Sequence, residues 1–198
     1  MIDASQVTAC LVTRGDQPEM MDRIRQSLIF EHVVVWDNSL RWLDAKCGGR
    51  YMALLEAETD VVYFQDDDVI VPPATQQRLV SEYMPGVVVA NWGHGETPGG
   101  YDDLPLVCGG AILDADLPWP ALNRYLERWP ADDGFWYESD FVAGVLYEDF
   151  RHLHLPFEIN LEVAQDGTRL CNQPWQRDLK LEITGRARAI RDTAMVAA

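Results

Sequence analysis

The stretch VVYFQDDDVIVPP, residues 61–73, decides the fold prediction, because an apolar run ends abruptly in three aspartates. A short, continuously apolar run is typical of a strand that is buried on both faces of a parallel sheet. Three adjacent carboxylates repel one another, so we expect a bound cation to offset the repulsion. If the segment stays extended, Asp66 and Asp68 converge and Asp67 turns aside. The alternative is a solvated acidic turn that closes the strand.

Strands and helices alternate on both sides of this stretch. Apolar or β-branched runs predict strands, and segments with helical apolar spacing or an early proline predict helices. The resulting β-α-β-α-β-α-β order predicts an α/β fold with a mostly parallel sheet and helices on both faces. The strands are predicted at residues 6–13, 32–37, 61–65 and 86–93, and the helices at 17–30, 48–60 and 72–84.

Ligands of such sheets bind outside the carboxyl ends of the strands. Three of the predicted strand ends carry polar clusters, at residues 13–15, 37–39 and 66–68. The three aspartates therefore fall where this architecture places its ligand. At that edge, one or two carboxylates with phosphate oxygens and waters are a typical ligand set for Mg²⁺ or Mn²⁺.

The pattern changes after residue 93 and predicts a small mixed C-terminal part. Glycines and prolines predict a loop over 93–105, and the segment 164–180 is also predicted as a loop. Residues 106–118 and 151–163 predict strands, and 119–130 and 137–150 predict helices. Residues 183–198 predict a weak helix or a frayed tail. We expect one domain spanning 1–198, because the chain shows no repeat and no long linker.

Composition narrows the class of protein. The chain has 198 residues, 47% of them hydrophobic, which suits one domain with a sizeable core. It contains no apolar run long enough to span a membrane and no signal-peptide pattern at its start, so we expect a cytoplasmic protein of a bacterial or phage-infected cell. The oligomeric state stays open. The four cysteines form no CxxC pair, and we expect them to be buried, reduced side chains: Cys10, Cys47, Cys108 and Cys171.

The charge balance disfavours duplex nucleic acid as a partner. The net charge is −16, and such a surface repels phosphate backbones. The segment from Arg169 to the end is locally basic, with six basic residues against three acidic ones. This basic tail predicts either a solvated surface or a contact for an anionic ligand.

Five stretches together resemble the GT-A-type glycosyltransferases, a Rossmann-like family that uses nucleotide-sugar donors. They are VTACLVTRGD (7–16), VVVWDNS (33–39), GRYMALLEAETDVVYFQDDDV (49–69) with its D-x-D, CGGAIL (108–113) and ESDF (138–141). The resemblance covers residues 6 to 160. It extends to the exostosin-like branch, whose metal motif is also three aspartates, and to the family 2-like enzymes.

The resemblance implies a donor site and a cation. The donor would be a nucleotide-diphospho-sugar, a UDP-sugar first of all, and Mn²⁺ or Mg²⁺ would bridge its diphosphate. Asp68 would hold the metal and Asp66 would face the ribose or sugar as its partner. Residues 1–93 would then form the nucleotide-sugar half, 94–164 the acceptor half, and 165–198 a closing loop and tail. The donor contacts would be Thr13, Arg14, Asp37, Asn38, Arg50, Asp66, Asp67 and Arg169.

The resemblance also implies an acceptor side. Asp140 would be the catalytic carboxylate and Glu138 the second choice, because Ser139 stands where the family commonly has Glu before Asp. A helix start would lower the pKa of Asp140 and keep it ionised, although an acidic residue there is equally typical of a helix cap. The strand beside the acceptor would contribute Cys108, Gly109 and Gly110, the alternative for the glycines being a bulge without a ligand.

Two further features have functional and structural interpretations. His152 and His154 share one face of a predicted strand and would add metal ligands, although a lone histidine is more often structural. Arg169, Trp175 and Arg177 fall in the loop 165–178, which would close over the diphosphate or form a surface loop.

Two other functions compete with sugar transfer. A module that binds a nucleotide sugar without turnover would fit the displaced ESD. The pattern VVYFQDDDV also resembles the haloacid-dehalogenase-type phosphatases, whose first aspartate is the nucleophile. That motif normally ends the first strand, whereas two βα units precede it here. The acceptor of a transferase stays open among a small molecule, a glycan, a protein and modified DNA.

Overall fold

The computed structural model describes residues 2–91, 104–160, 167, 169 and 172–197. Its strands are β1 Val7–Thr13, β2 His32–Asp37, β3 Val61–Gln65, β4 Val69–Ile70, β5 Val88–Asn91, β6 Ala111–Asp114, β7 Phe150–Leu153 and β8 Glu158–Ile159. Its helices are α1 Pro18–Ser27, α2 Gly49–Ala53, α3 Pro73–Glu82, α4 Pro118–Leu126, α5 Asp133–Tyr137, α6 Ser139–Leu146 and α7 Gln176–Ala197. Within these ranges, no helix has the length and apolar character needed to cross a membrane.

The main sheet confirms the predicted mostly parallel α/β fold. Its strand order is β2-β1-β3-β6-β5-β7. The pairs β1–β2, β1–β3 and β5–β7 are parallel, while β6 runs antiparallel between β3 and β5. All of the strands except β6 therefore point in one direction. A separate two-stranded sheet pairs β4 with β8.

Helices cover both faces of the sheet because the strands are apolar on both sides. In β3, Val62 and Phe64 pack on the face covered by α2, α4, α5, α6 and α7. Val61 and Tyr63 alternate to the other face, which packs against α3. Helix α1 packs there too, through an apolar stripe that contacts Leu11. The central strand is buried along its whole length, as its unbroken apolar sequence predicts.

Several predicted elements have different bounds. The strand predicted over 106–118 begins only at Ala111, because Gly110 has a φ of +102° that interrupts the extended backbone. The helix predicted over 137–150 is divided at Glu138, whose φ and ψ of −113° and 23° are not helical. The strand predicted over 151–163 becomes β7 and β8, separated by a segment that contains Pro156.

The C-terminal segment is more helical than predicted. Residues 176–180, predicted as a loop, and 183–197, predicted as a weak helix or a frayed tail, belong to the 22-residue helix α7, which confirms the helix alternative for the tail. One face of it is buried against the core through Ile183, Ala187 and Ile190, and this packing stabilises the helix. The predicted loop over 93–105 is described only at its last two residues. The loop 165–178 is described at 167, 169 and from 172 onward, and Cys171 lies outside the described residues.

Candidate functional site

A cavity of about 880 Å³ lies at the carboxyl ends of β1, β2 and β3. This is the edge at which the sequence predicts a ligand, and the volume suits a bound small molecule. Most of the predicted site residues line it, and some of them, such as Asp66 and Asp140, are more than 70 positions apart in the sequence. They are Thr13, Arg14, Asn38, Arg50, Asp66, Asp67, Asp68, Cys108, Glu138, Asp140 and Arg169.

The three aspartates lie in a turn that is held from both sides. The Tyr63 hydroxyl donates to the Gln65 side-chain carbonyl (2.8 Å), and the Gln65 amide donates to the Val69 carbonyl (2.8 Å). On the other side, the Asn160 backbone N–H donates to the Asp68 carbonyl at 2.8 Å. The buried Gln65 therefore spans the turn, and β8 fixes its far end.

Two of the three aspartates have an arginine partner. Arg50 Nη2 donates to Asp66 Oδ1 at 2.5 Å, and Arg169 Nη1 donates to Asp67 Oδ1 at 2.6 Å. The expectation that Asp67 turns aside is wrong, since it lines the cavity. The chain leaves the extended conformation after Gln65, so strand alternation no longer applies. Burial raises the pKa of Asp67, and the Arg169 guanidinium opposes that shift.

Asp68 takes part in none of the ion pairs found among the described residues. Burial, followed by the neighbouring Asp66 and Asp67 carboxylates, raises its pKa to about 7. No group of three His, Cys, Asp or Glu side chains converges as a complete metal site in the described ranges. One or two carboxylates are nevertheless the usual protein share of a Mg²⁺ site completed by phosphates and waters. Asp68 and Asp66 together would supply those two carboxylates.

Arg50 joins the aspartate turn to the start of α6. Its Nη2 also lies 3.2 Å from Asp140 Oδ2, so one guanidinium nitrogen contacts carboxylates on both sides of the cavity. The side chain is only 3% exposed. Its Nη1 has no hydrogen-bond partner among the described residues. Burial lowers the pKa of Arg50, but Asp140 and then Asp66 outweigh it, so the pKa lies well above the ordinary value.

Asp140 lies in the first turn of α6, as the sequence predicts for a helix start. The expected lowering of its pKa is wrong: burial raises it to about 6, while Arg50 is the main factor that lowers it. The Tyr51 hydroxyl lies close enough to lower this pKa further, but it makes no hydrogen bond of ordinary geometry. Burial outweighs the helix dipole here because the dipole contributes only part of a unit charge.

Glu138 precedes α6 and is 1% exposed. Its Oε1 accepts a hydrogen bond from the Gln176 amide at 2.8 Å. Burial raises its pKa to about 7, and Lys180 is the main factor that lowers it. Gln176 and Lys180 belong to α7, and sequence reasoning missed both. Their spacing of four residues on one helical face is the only sequence signal that could have indicated them.

On the side of β1 and β2, the predicted nucleoside contacts divide into two groups. Thr13, Arg14 and Asn38 line the cavity, whereas Asp37 does not. The Asp37 carboxylate accepts hydrogen bonds from the Ser39 N–H (2.9 Å) and hydroxyl (2.6 Å), which fixes the turn after β2. The Asn38 side-chain carbonyl also has a local role, because it accepts from Trp36 Nε1 (3.1 Å) and the Ala45 N–H (2.9 Å).

The predicted acceptor glycines do not line the cavity. A Cβ on Gly109 would lie 2.6 Å from the Asn91 carbonyl oxygen, and one on Gly110 would lie 3.0 Å from the Tyr63 hydroxyl. The glycines therefore permit close packing of protein against protein, which is the bulge-like alternative. Of this group, only Cys108 reaches the cavity.

The two histidines also lie away from the cavity lining. His152 Nε2 is 2.9 Å from the Leu104 carbonyl oxygen, and the ring packs 5.1 Å from that of Phe150. His154 follows His152 by two positions and lies just after the end of β7. Strand β7 is at the sheet edge farthest from β1 and β2, which separates the histidines from the aspartate turn. The structure therefore does not bring them together with Asp68.

Comparison with known proteins gives distant structural neighbours. No protein-family model and no curated protein matches the chain. The fold is similar to S. aureus TarS residues 1–349 in complex with UDP-GlcNAc (TM-score 0.46, 14% identity, 76% of this chain and 56% of that one). It is also similar to the same region with UDP (0.43, 13%, 76% and 58%) and to a third TarS 1–349 structure (0.40, 13%, 94% and 62%). The chain thus spans somewhat more than half of each of these TarS 1–349 structures.

Proposed function

We propose that the protein is a metal-dependent glycosyltransferase of the GT-A type, which moves a sugar from a nucleotide-diphospho-sugar to an acceptor hydroxyl. One observation carries the proposal: Arg50 connects the aspartate turn, at 2.5 Å from Asp66, to the acceptor-side Asp140, at 3.2 Å. A positive group thus lies between two carboxylate segments inside one cavity at the ligand edge of the sheet.

Different residues bind the donor diphosphate and hold the metal. Arg50 Nη1, buried and without a hydrogen-bond partner among the described residues, binds an oxygen of the donor diphosphate. Arg169 lies on the same wall through its bond to Asp67. Asp68 and Asp66 would hold Mn²⁺ or Mg²⁺, which stabilises the negative charge of the leaving nucleoside diphosphate.

Asp140 acts on the acceptor. Arg50 holds its Oδ2, while Oδ1 makes no hydrogen bond of ordinary geometry with the described residues. As the acceptor oxygen bonds to the anomeric carbon and the bond to the diphosphate breaks, the hydroxyl proton passes to Asp140. Since the pKa of Asp140 is about 6, the carboxylate is mostly ionised at neutral pH and is matched to a base. Glu138 lies beside it and receives the Gln176 hydrogen bond, so its role is to support α6.

A donor panel tests the proposal. The protein is heated with UDP-, GDP- or TDP-linked sugars in the presence of Mn²⁺, and released nucleotide is measured by mass spectrometry. A donor at 100 times its Kd stabilises a protein by about 2.7 kcal/mol, or about 5–10 °C at this size. EDTA and Asp68→Ala are expected to abolish both the stabilisation and the release. A panel in which no donor stabilises the protein contradicts the proposal.

The same panel separates transfer from simple binding. Donor binding without nucleotide release, even with a broad set of acceptors, would favour the non-catalytic module. The phosphatase alternative requires Asp66 as a nucleophile, yet Arg50 engages that carboxylate at 2.5 Å. A simple phosphate ester such as p-nitrophenyl phosphate is therefore expected to remain intact.

A further inference from the structure

The two walls of the cavity differ in chemistry. The wall at the ends of β1, β2 and β3 is polar and charged, whereas the wall around α5, α6 and the start of α7 combines aromatic rings with polar side chains. Its aromatic side chains are Tyr137, Phe141 and Trp175, and its polar ones are Glu138, Asp140, Gln176 and Lys180. If the first wall binds the nucleoside diphosphate, the second faces whatever receives the sugar.

Tyr137 and Trp175 form a pair of aromatic rings on this second wall. Their ring centroids are 5.3 Å apart and the ring planes are inclined at 58°. Trp175 is 43% exposed although it lines the cavity. Covering an exposed indole with an apolar surface is favourable. Tyr137 directly precedes Glu138, so the two rings lie next to the acceptor-side carboxylates.

The charged side chains of the whole cavity, rather than the two lysines beside its aromatic rings, disfavour an anionic acceptor. Lys46 lies 5.5 Å from the Tyr137 ring centroid and is already paired with Asp44. Lys180 lies 4.4 Å from the ring centroid of Phe141. Five carboxylates of the aspartate turn and of the start of α6 line the same cavity: Asp66, Asp67, Asp68, Glu138 and Asp140. Arg14, Arg50 and Arg169 also line the cavity, and each already pairs with a carboxylate. A polyphosphate chain such as DNA would therefore meet the five carboxylates while most of the cations are already engaged.

We infer that Tyr137 and Trp175 form a platform that binds a neutral sugar ring of the acceptor, an inference that rests on the proposed glycosyl transfer. A sugar ring has an apolar C–H face and a hydroxyl edge. The aromatic rings receive the C–H face, and the Asp140 carboxylate accepts a hydrogen bond from the reacting hydroxyl. The acceptor is therefore a neutral carbohydrate, and its reacting hydroxyl points toward Asp140.

The main alternative is that the same rings stack on the nucleobase of the donor. The two binding modes are distinguished by measuring sugar affinity and UDP affinity in the same variants. The sugar probes are methyl β-glycosides of glucose, galactose and N-acetylglucosamine and their β-1,4-linked disaccharides. They are titrated by saturation-transfer NMR into the full chain with UDP and Mg²⁺, and UDP is titrated by calorimetry.

We expect at least one sugar probe to bind the native protein and Trp175→Ala to weaken it about tenfold, while the Kd of UDP stays within about twofold. Trp175→Phe keeps an aromatic face and should restore most of the sugar affinity. Trp129→Ala is the matched control, because Trp129 is 39% exposed but does not line the cavity. Thermal unfolding of each variant checks that it is folded.

Three results would overturn the platform. They are UDP bound without any sugar probe, a tenfold loss of UDP affinity in Trp175→Ala, and an equal loss of sugar affinity in Trp129→Ala. A native protein that binds neither UDP nor a nucleotide sugar would instead overturn the proposed function and the platform with it.

Discussion

The cavity is bordered by two acidic segments that stand on different scaffolds. Residues 66–68 form a turn after β3, which Gln65 and Asn160 hold at its two ends. Residues 138–140 form the start of α6, which α7 covers through Gln176. The helix start is largely buried and the turn is half-buried, and the pKa values of Asp68 and Glu138 rise to about 7 and that of Asp140 to about 6.

The difference lies in how each segment is neutralised. Arginines from two distant segments engage Asp66 and Asp67, which leaves Asp68 as the turn carboxylate outside the ion pairs of the described residues. At the helix start, Arg50 engages Asp140, and an uncharged amide engages Glu138. The turn therefore suits a cation and the helix start suits a proton, and each assignment can be tested by removing one carboxylate.

The largest effect is expected at the turn. Asp68→Asn keeps the shape of the side chain but removes the charge that would hold the metal. We expect kcat for sugar transfer to fall about 10³-fold, because charge on the leaving diphosphate is no longer offset. Initial rates at saturating Mn²⁺ and donor provide the measurement, and Glu19→Gln on the exposed side of α1 is the control. A tenfold loss or less would mean that Asp68 does not hold the metal.

At the helix start, the effects of removing Asp140 and of removing Glu138 are compared. Asp140→Asn should lower kcat about 10²-fold, the usual contribution of a general base, and leave the donor Kd unchanged. Glu138→Gln keeps a partner for Gln176 and should lower kcat less than tenfold. Single-turnover rates with calorimetric donor affinities distinguish the two. An equal loss of kcat in the two variants, or a larger loss in Glu138→Gln, would contradict this assignment of roles to Asp140 and Glu138.

The turn and its strand were predictable from sequence, because β3 is buried on both faces and its apolar run ends at the ligand edge. The position of the helix start was predictable from the sequence, but the raised pKa of Asp140 was not. Asp140 is buried beside Arg50 and Tyr51, which come from a distant segment, and Glu138 is held by Gln176, which the sequence places in a predicted loop. Gly109 and Gly110 were misassigned for a related reason, since a glycine pair signals close approach without saying whether a ligand or the protein approaches.

Arg50 links the two segments, so changing it tests whether they act together. Arg50→Gln removes the main group that lowers the pKa of Asp140. We expect the acid limb of the pH–rate profile, near pH 6 for the native protein, to move up by about one pH unit or more. Arg50→Lys keeps the charge and should leave the limb in place, although it loses the guanidinium geometry. Profiles of kcat/KM from pH 5 to 9 measure the shift, and an unmoved limb in Arg50→Gln would show that Asp140 titrates independently of Arg50.

The smallest effect is on stability in the absence of metal. The folded protein holds Asp68, Glu138 and Asp140 at pKa values above those of the unfolded chain, so unfolding releases protons. Stability from these groups is fully present below about pH 4 and is lost as the pH rises through about 6 to 7. In EDTA, the Tm should therefore fall by at least about 3 °C between pH 5 and pH 8, since about 1 kcal/mol corresponds to 2–4 °C at this size.

The same measurement separates the turn from the helix start. Glu138→Gln removes one of the three titrating groups, so its Tm should depend less steeply on pH than that of the native protein. Glu148→Gln, at a carboxylate that is 89% exposed, should leave the slope unchanged. Mn²⁺ competes with protons at the turn alone, so it should raise the Tm more at pH 8 than at pH 5, and equally in the native protein and Glu138→Gln. A Tm that Mn²⁺ raises equally at both pH values would place the cation away from the titrating carboxylates.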